Sequence, residues 1–364
     1  MKKFLVILLL IIIIVSACLV VPVYLKANHI LDSVEVQNIA LSDEDLCINS
    51  GVRQRNLHRE VTNIAIFGID SRPNQDTGRS DCIMVLSLNE NSSSINLVSL
   101  LRDTYVDIPD NDYAKLNAAY AFGGPELAIR TINANFDLDI QQFVTVDFNA
   151  LIGVVDALGG VTLNVTDEEV APLNKVVRQH NKLFSDDTSE VEAGEQLLNG
   201  SQALAYARIR YLGNSDFDRT ARQQIVFSKI INKLKSTLKF DSITDIPSMV
   251  GTLLDIADSV SGNITTSIKK EDMLHYAYKA YKCFDHLNTS SLTSDDYIKS
   301  ATIDGAMVLL PRDLSDLAIM LRQRLYGESE YIPTDNLTQR SDELAYETSD
   351  VWTNTIYTGT TLQY

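Results

Sequence analysis

NIAIFGIDSRPNQDTGRSD, Asn63 to Asp81, is the stretch from which the fold can be read. Its apolar, partly β-branched run from Ile64 to Phe67 stops at Gly68, which predicts a buried strand ending there. Asp70, Arg72, Arg79 and Asp81 follow in a loop broken by Pro73 and Gly78. Carboxylate oxygen suits a divalent cation and guanidinium grips phosphate oxygens in pairs, so two acids and two arginines at a strand end suit a metal-bound phosphate.

Toward the amino end, Phe4 to Leu25 is an uncharged apolar run of 22 residues behind Lys2 and Lys3. It is long enough to cross a bilayer as a helix, with residues 1–3 cytoplasmic and everything past residue 25 outside. A cleaved secretory signal is one alternative. A lipoprotein signal is another, because Val15-Ser16-Ala17-Cys18 resembles a lipobox. The run stays apolar past Cys18, which favours an uncleaved single-pass anchor. Residues 26–60 have weak periodicity and predict a stalk with one short helix between membrane and domain. Five scattered histidines lack zinc-ligand spacing, and Cys47, Cys82 and Cys283 are structural, with at most one bridge among them.

The 364 residues, 45% apolar, are enough for one large core or two modest ones. A net charge of −17 argues against nucleic acid as a partner, since that affinity comes from Lys and Arg.

After the opening loop, Cys82 to Leu88 and Ile95 to Leu101 predict a hairpin leading into Arg102 and Asp103. By itself, that pair reads as an ion pair satisfied at a sheet edge, and its place near the opening loop makes a functional role equally good. A helix from Pro125 should bury Leu127, Ile129, Ile132 and Phe136. Strand Phe143 to Phe148, helix Ala150 to Leu158 and strand Gly160 to Val165 complete an α/β alternation. Thr166 to Glu195 is polar and acidic and reads as a surface excursion or lid. The helix opening at Leu198 should end near Ala207, so that Arg208 and Arg210 share a face on extended chain. Asp216 to Leu238 is a long helix with a stripe of Ile225, Val226, Ile230, Leu234 and Leu238, capped by Asp216 or Asp218. Arg219 and Arg222 sit in its first turns, where cations oppose the helix dipole unless an anion compensates them. Helices at about Ile246 to Ala257 and Lys270 to Tyr281, a strand pair near Lys299 to Leu309 and a helix Asp313 to Tyr326 follow. Residues 327–364 carry seven acids against one base, Arg340, and predict a disordered tail.

Seven segments in this order, GIDSR, RSD, SLLRDTYVDIP, KLNAAYAFGGPE, VDFNALIGVVDALGGV, LNGSQALAYARIR and DFDRTARQQ, resemble the LytR-CpsA-Psr (LCP) family. The resemblance covers about Asn63 to Leu238. Its departures, Leu100-Leu101 and Ala207, leave every charged position intact.

The resemblance implies an α/β fold, mixed with α+β character, in which a mostly β-sheet core is flanked by helices. This would be a single extracellular domain over residues 61–326. It also implies a transferase that moves a glycopolymer, such as teichoic acid or capsule, from an undecaprenyl-diphosphate carrier to peptidoglycan as a phosphodiester. By position, Asp70 and Asp81 match metal ligands for Mg²⁺, with Mn²⁺ as the alternative ion. Arg79, Arg102, Arg208, Arg210 and Arg219 match the arginines around the pyrophosphate, with Gln224 beside them. Asp103 would orient Arg102 or assist deprotonation, and pyrophosphate hydrolysis would be a side activity. The carrier's tail needs an apolar groove, for which the stripe after Ile225 is one candidate. A polyprenyl-phosphate sensor or scaffold without turnover is the second reading and an envelope-linked regulator the third.

Overall fold

The computed structural model describes residues 26, 29–39, 42–69, 78–209, 215–238, 246–283, 286–292, 297–328 and 330–353. The expected anchor, Phe4 to Leu25, lies outside them, as do Asp70, Arg72, Arg210 and the side chains of Asp216 and Asp218. Among the described residues no helix is long and apolar enough to cross a membrane. The chain forms two compact units, Met1–Gln37 with Val146–Asp272, and Asn38–Thr145 with Met273–Tyr364.

The second unit is built on a mixed sheet. Its strands run in the order Gln142–Asp147, Val61–Ile69, Ser80–Asn89, Ser94–Leu100 and His286–Ser291, the first of them ending two residues beyond the unit's boundary. Ser80–Asn89 pairs antiparallel with Val61–Ile69 and with Ser94–Leu100, which is the predicted hairpin; His286–Ser291 adds in parallel. Ile64, Ala65 and Phe67 are buried on successive pleats, as expected of a strand covered on both faces.

The helix Leu116–Phe136 covers this sheet and starts nine residues before Pro125. Gly123 and Gly124 are non-helical, so Pro125 opens the second of two merged helices, and Leu127, Ile129, Ile132 and Phe136 are buried as predicted. The strand pair Ile298–Ile303 with Ala306–Pro311 and the helix Leu314–Tyr326 also form where expected.

The short helix expected in the stalk is Ser50–His58, but it is docked in the folded unit, where its Arg53 and Asn56 bond to Asp139 at 3.3 and 2.7 Å. The expectation of a disordered tail fails. Within the tail, Asp335–Glu347 is a helix with Leu337 and Leu344 buried. It is preceded by Tyr331 and Thr334, both bonded to the Asp137 carboxylate. Arg340, the tail's lone base, pairs with Asp107. Composition suggested disorder because the acids face water; the apolar residues that order the helix are few and depend on distant partners.

The first unit has its own core, in which the hairpin Val161–Val165 with Gly194–Leu198 packs with helices Asp167–Phe184, Gly200–Ala207 and Ser215–Leu238 around Leu163, Leu173, Val177, Tyr206, Ile209 and Val226. The expected excursion from Thr166 is therefore mostly the helix Asp167–Phe184, with Thr166 and Glu169 as a capping box at its start. Gly200 is required by close approach, because a Cβ there would lie 2.4 Å from the carbonyl oxygen of Ile152. In the Ser215–Leu238 stripe, Val226 and Ile230 are core, whereas Ile225 is 42% exposed.

Candidate functional site

Asp81 owes its setting to a break in the sheet register. Gly68 pairs with Cys82 and Ile69 with Ser80, so Asp81 is the extra residue of a bulge at the end of the strand. Bulges re-aim side chains in this way. A Cβ on Gly68 would lie 2.9 Å from that of Cys82, so the tight pairing just before the bulge needs glycine.

Arg102 leaves the end of Ser94–Leu100 and ion-pairs with Asp81; its Nε lies 3.6 Å from Asp103 Oδ2. Lys115 Nζ contacts the other oxygen, Asp103 Oδ1, at 3.0 Å. The connecting backbone is anchored, because Asn117 N–H donates to the Arg102 carbonyl at 3.0 Å and Leu309 N–H to that of Asp103 at 2.8 Å. The Asp103 side chain is 5% exposed, whereas Arg102 and Asp81 are 18% and 21% exposed. The result is a fixed strip of alternating charge whose outer members reach solvent. Arg79, two residues before Asp81, is exposed.

The first unit holds Arg208, Arg219 and Gln224 of the expected residues. The helix Gly200–Ala207 ends where predicted, with Arg208 as its C-cap, and the Arg208 guanidinium lies 4.8 Å from the Phe148 ring centroid. Such stacking restrains an arginine without consuming its donors. Arg219, 3% exposed, stands near the start of Ser215–Leu238. Gln224 is half-buried one turn on, and its Nε2 has no hydrogen-bond partner among the described residues.

The structure thus brings together Asp81, Arg102 and Asp103, and places Arg208, Arg219 and Gln224 in the other unit. Sequence reasoning did not single out Lys115, although it is the one cation in KLNAAYAFGGPE. It also passed over Glu169, whose Oε1 accepts hydrogen bonds from Arg222 Nε at 3.0 Å and Tyr206 OH at 3.2 Å. Burial, then the Glu169 charge, pushes the Tyr206 hydroxyl up to about 12, so it stays a donor at neutral pH.

Ser201, His180 and Asp186 also meet, with Ser201 Oγ 3.4 Å from His180 Nε2 and 3.2 Å from Asp186 Oδ2. This is no nucleophilic triad. Asp186 approaches Nε2 at 3.6 Å, the nitrogen that also faces the serine, and the buried Nδ1 has no partner among the described residues. Burial also pushes the imidazole below its ordinary range.

Among the described residues, no group of three or more His, Cys, Asp or Glu side chains is arranged to hold a metal. Cys47 and Cys283 are free thiols.

The sequence profile of the LytR_cpsA_psr family matches residues 23–318. A polyisoprenyl-teichoic acid–peptidoglycan teichoic acid transferase, TagU of Enterococcus faecalis, is 32% identical over 246 residues, or 66% of this chain and 73% of that one. Among solved structures, a protein described as a transcriptional regulator from Enterococcus faecalis superposes with a TM-score of 0.56 at 27% identity, covering 80% of this chain and 95% of that one. The family protein YwtF (TagT) of Bacillus subtilis, solved with bound octaprenyl pyrophosphate lipid, superposes at 0.50. At 23% identity over 73% of this chain and 90% of that one, it supports the fold alone.

Proposed function

The chain belongs to the LytR-CpsA-Psr family, and from that premise we propose that it is a transferase. It moves a glycopolymer of the teichoic acid or capsule kind from an undecaprenyl-diphosphate carrier to a peptidoglycan hydroxyl, outside the cell, held in the membrane by Phe4 to Leu25. The observation that carries this reading is Arg102, fixed against Asp81 and Asp103 at a bulged strand end and still open to solvent. Phosphoryl transfer asks a protein mainly for positioned charge, and such a strip supplies it.

Mg²⁺ suits this strip as far as its donors go. The ion needs only one or two carboxylates beside phosphate and water oxygens, so Asp81, with Asp70 from the same loop, would hold it without a three-residue cluster. When bound, it would neutralise charge on the diphosphate. Arg79, Arg102 and Lys115 would grip phosphate oxygens, and Arg208, Arg210, Arg219 and Gln224 would stabilise the negative charge that grows as the lipid phosphate departs. The acceptor oxygen bonds to phosphorus as the bond to the lipid phosphate breaks, and the hydroxyl proton leaves to solvent or a nearby base. Asp103, held by two cations, orients Arg102 and Lys115.

The full chain in nanodiscs, given a polyprenyl-diphosphate oligosaccharide, peptidoglycan fragments and Mg²⁺, should yield the phosphodiester by mass spectrometry. Donor binding without product would favour the sensor or scaffold reading. The regulator reading draws on the description of the Enterococcus relative, but a charge of −17 opposes binding to nucleic acid.

A further inference from the structure

We propose that Glu169 is a positioning residue that sets Arg208 and Arg219 for the diphosphate, an inference that rests on the transferase reading above. A glutamate three residues into a helix ordinarily needs one oxygen for its capping box, and the second faces water. Here Oε2 makes the cap, accepting from Thr166 N–H at 3.1 Å, while the residue is only 8% exposed. Its other oxygen takes two donors from two further helices, Tyr206 OH and Arg222 Nε.

Both donors lie next to an arginine of the expected site. Tyr206 is two residues before Arg208, at the turn where the helix ends. Arg208 N–H still bonds back to the Ala205 carbonyl at 3.1 Å, and Ile209 N–H to that of Tyr206 at 3.3 Å. Ile209 is fully buried. Holding the Tyr206 hydroxyl therefore fixes the register of that turn, and Phe148 restrains the guanidinium it presents. Arg222 is three residues after Arg219 on one helix, a spacing that puts the two on neighbouring positions of one face. Holding Arg222 fixes the rotation of that helix about its axis.

One buried carboxylate thus ties the segment carrying Arg208 to the segment carrying Arg219. Its charge offsets Arg222, whose side chain is 10% exposed. The purpose is preorganisation. Two long cationic side chains lose rotamer freedom and repel one another when they gather on a phosphate, so a scaffold fixed beforehand lowers the barrier. A cap alone would not require burial, the second oxygen or either distant donor.

The test uses the full chain and the donor lipid assay. Glu169→Gln removes the charge that Arg222 meets and leaves one acceptor oxygen where there were two, so its NH2 faces either the cap N–H or the donors Tyr206 and Arg222; Tyr206→Phe removes one hydroxyl, leaves the cap intact and serves if Glu169→Gln does not fold. Either is expected to lower kcat, Glu169→Gln by about tenfold to hundredfold, with the KM for the peptidoglycan acceptor unchanged. In a background with both Arg208→Ala and Arg219→Ala the same substitution should cost less than about twofold, since both groups it positions are gone. An equal loss in both backgrounds would make the role merely structural and overturn the proposal, as would wild-type turnover in both Glu169→Gln and Tyr206→Phe. Titration of the wild-type chain with octaprenyl diphosphate separates the two levels. No binding overturns the transferase reading and this inference with it, whereas binding and turnover with indifferent variants overturn this inference alone.

Discussion

Arg322 and Arg102 each stand among acidic partners in the same unit, but one is sealed and the other is open. The Arg322 side chain is fully buried: Nε bonds to Glu328 at 2.7 Å, Nη1 donates to the Asp137 carbonyl at 2.7 Å, and the rings of Tyr331 and Tyr326 lie 4.0 and 4.8 Å from the guanidinium. Tyr331 and Thr334 close over the Asp137 carboxylate, so this knot fastens the carboxyl-terminal segment to the end of Leu116–Phe136. Arg102 keeps its outer side, and that of Asp81, in contact with water. Density of charge therefore does not mark a site; charge that is fixed at its base and open at its tip does.

The contrast is broken most sharply at Arg322. Arg322→Ala should cost about 3–5 kcal/mol in urea unfolding, because Glu328 would be left behind in a buried setting. Turnover per folded molecule should hold. A large loss of turnover at unchanged stability would place Arg322 with the site and erase the distinction.

Arg102→Ala should do the reverse. Turnover is expected to fall about 10²–10³-fold, the scale of removing one oriented donor to developing charge, with at most about 1 kcal/mol lost in unfolding. Arg102→Lys retains charge but not the fork, and an intermediate rate would show that bidentate geometry contributes. A third substitution, Tyr331→Phe, removes one donor from Asp137 and should cost about 1–2 kcal/mol without affecting turnover.

The same contrast explains what the sequence disclosed. Strands and helices with strong periodicity were legible, among them the hairpin after Asp81 and the helix ending at Ala207, since local pattern and packing agree there. The helix Asp167–Phe184 carried its own signal, Thr166 and Glu169 as a capping box with Leu173 and Val177 four apart, but its acids and lysines obscured it. The tail helix was harder. Leu337 and Leu344 form too short a stripe to outweigh its acids without Tyr331, Thr334 and their partner Asp137. Within the candidate site, Asp81, Arg102 and Asp103 were legible because each follows a strand or begins one. Lys115 and Glu169 were not, because what marks them is a partner 12 to 53 residues away. The bulge that frees Asp81 is likewise a property of strand pairing.

The smallest effect separates burial from pairing inside the sealed region. Asp139, 3% exposed, accepts from Asn56 and Asn63 at 2.7 and 2.6 Å and meets Arg53 at 3.3 Å. Burial pushes its carboxyl above the ordinary value of 3.8, and those three partners pull it down without overcoming burial. A carboxyl raised by folding contributes stability that is fully present below its unfolded value and lost as pH climbs through its folded value. Asp139→Asn keeps an acceptor for both asparagines and cannot ionise, so it should lack that loss. The variant's stability relative to wild type should therefore rise as pH increases from about 3 toward 7, by about 1 kcal/mol or less. Urea midpoints of both proteins across that range isolate the effect, because every other titrating group cancels in the difference. The opposite trend, wild type gaining on the variant, would mean that Arg53 and the asparagines outweigh desolvation, and that pairing rather than burial sets the charge of this carboxylate.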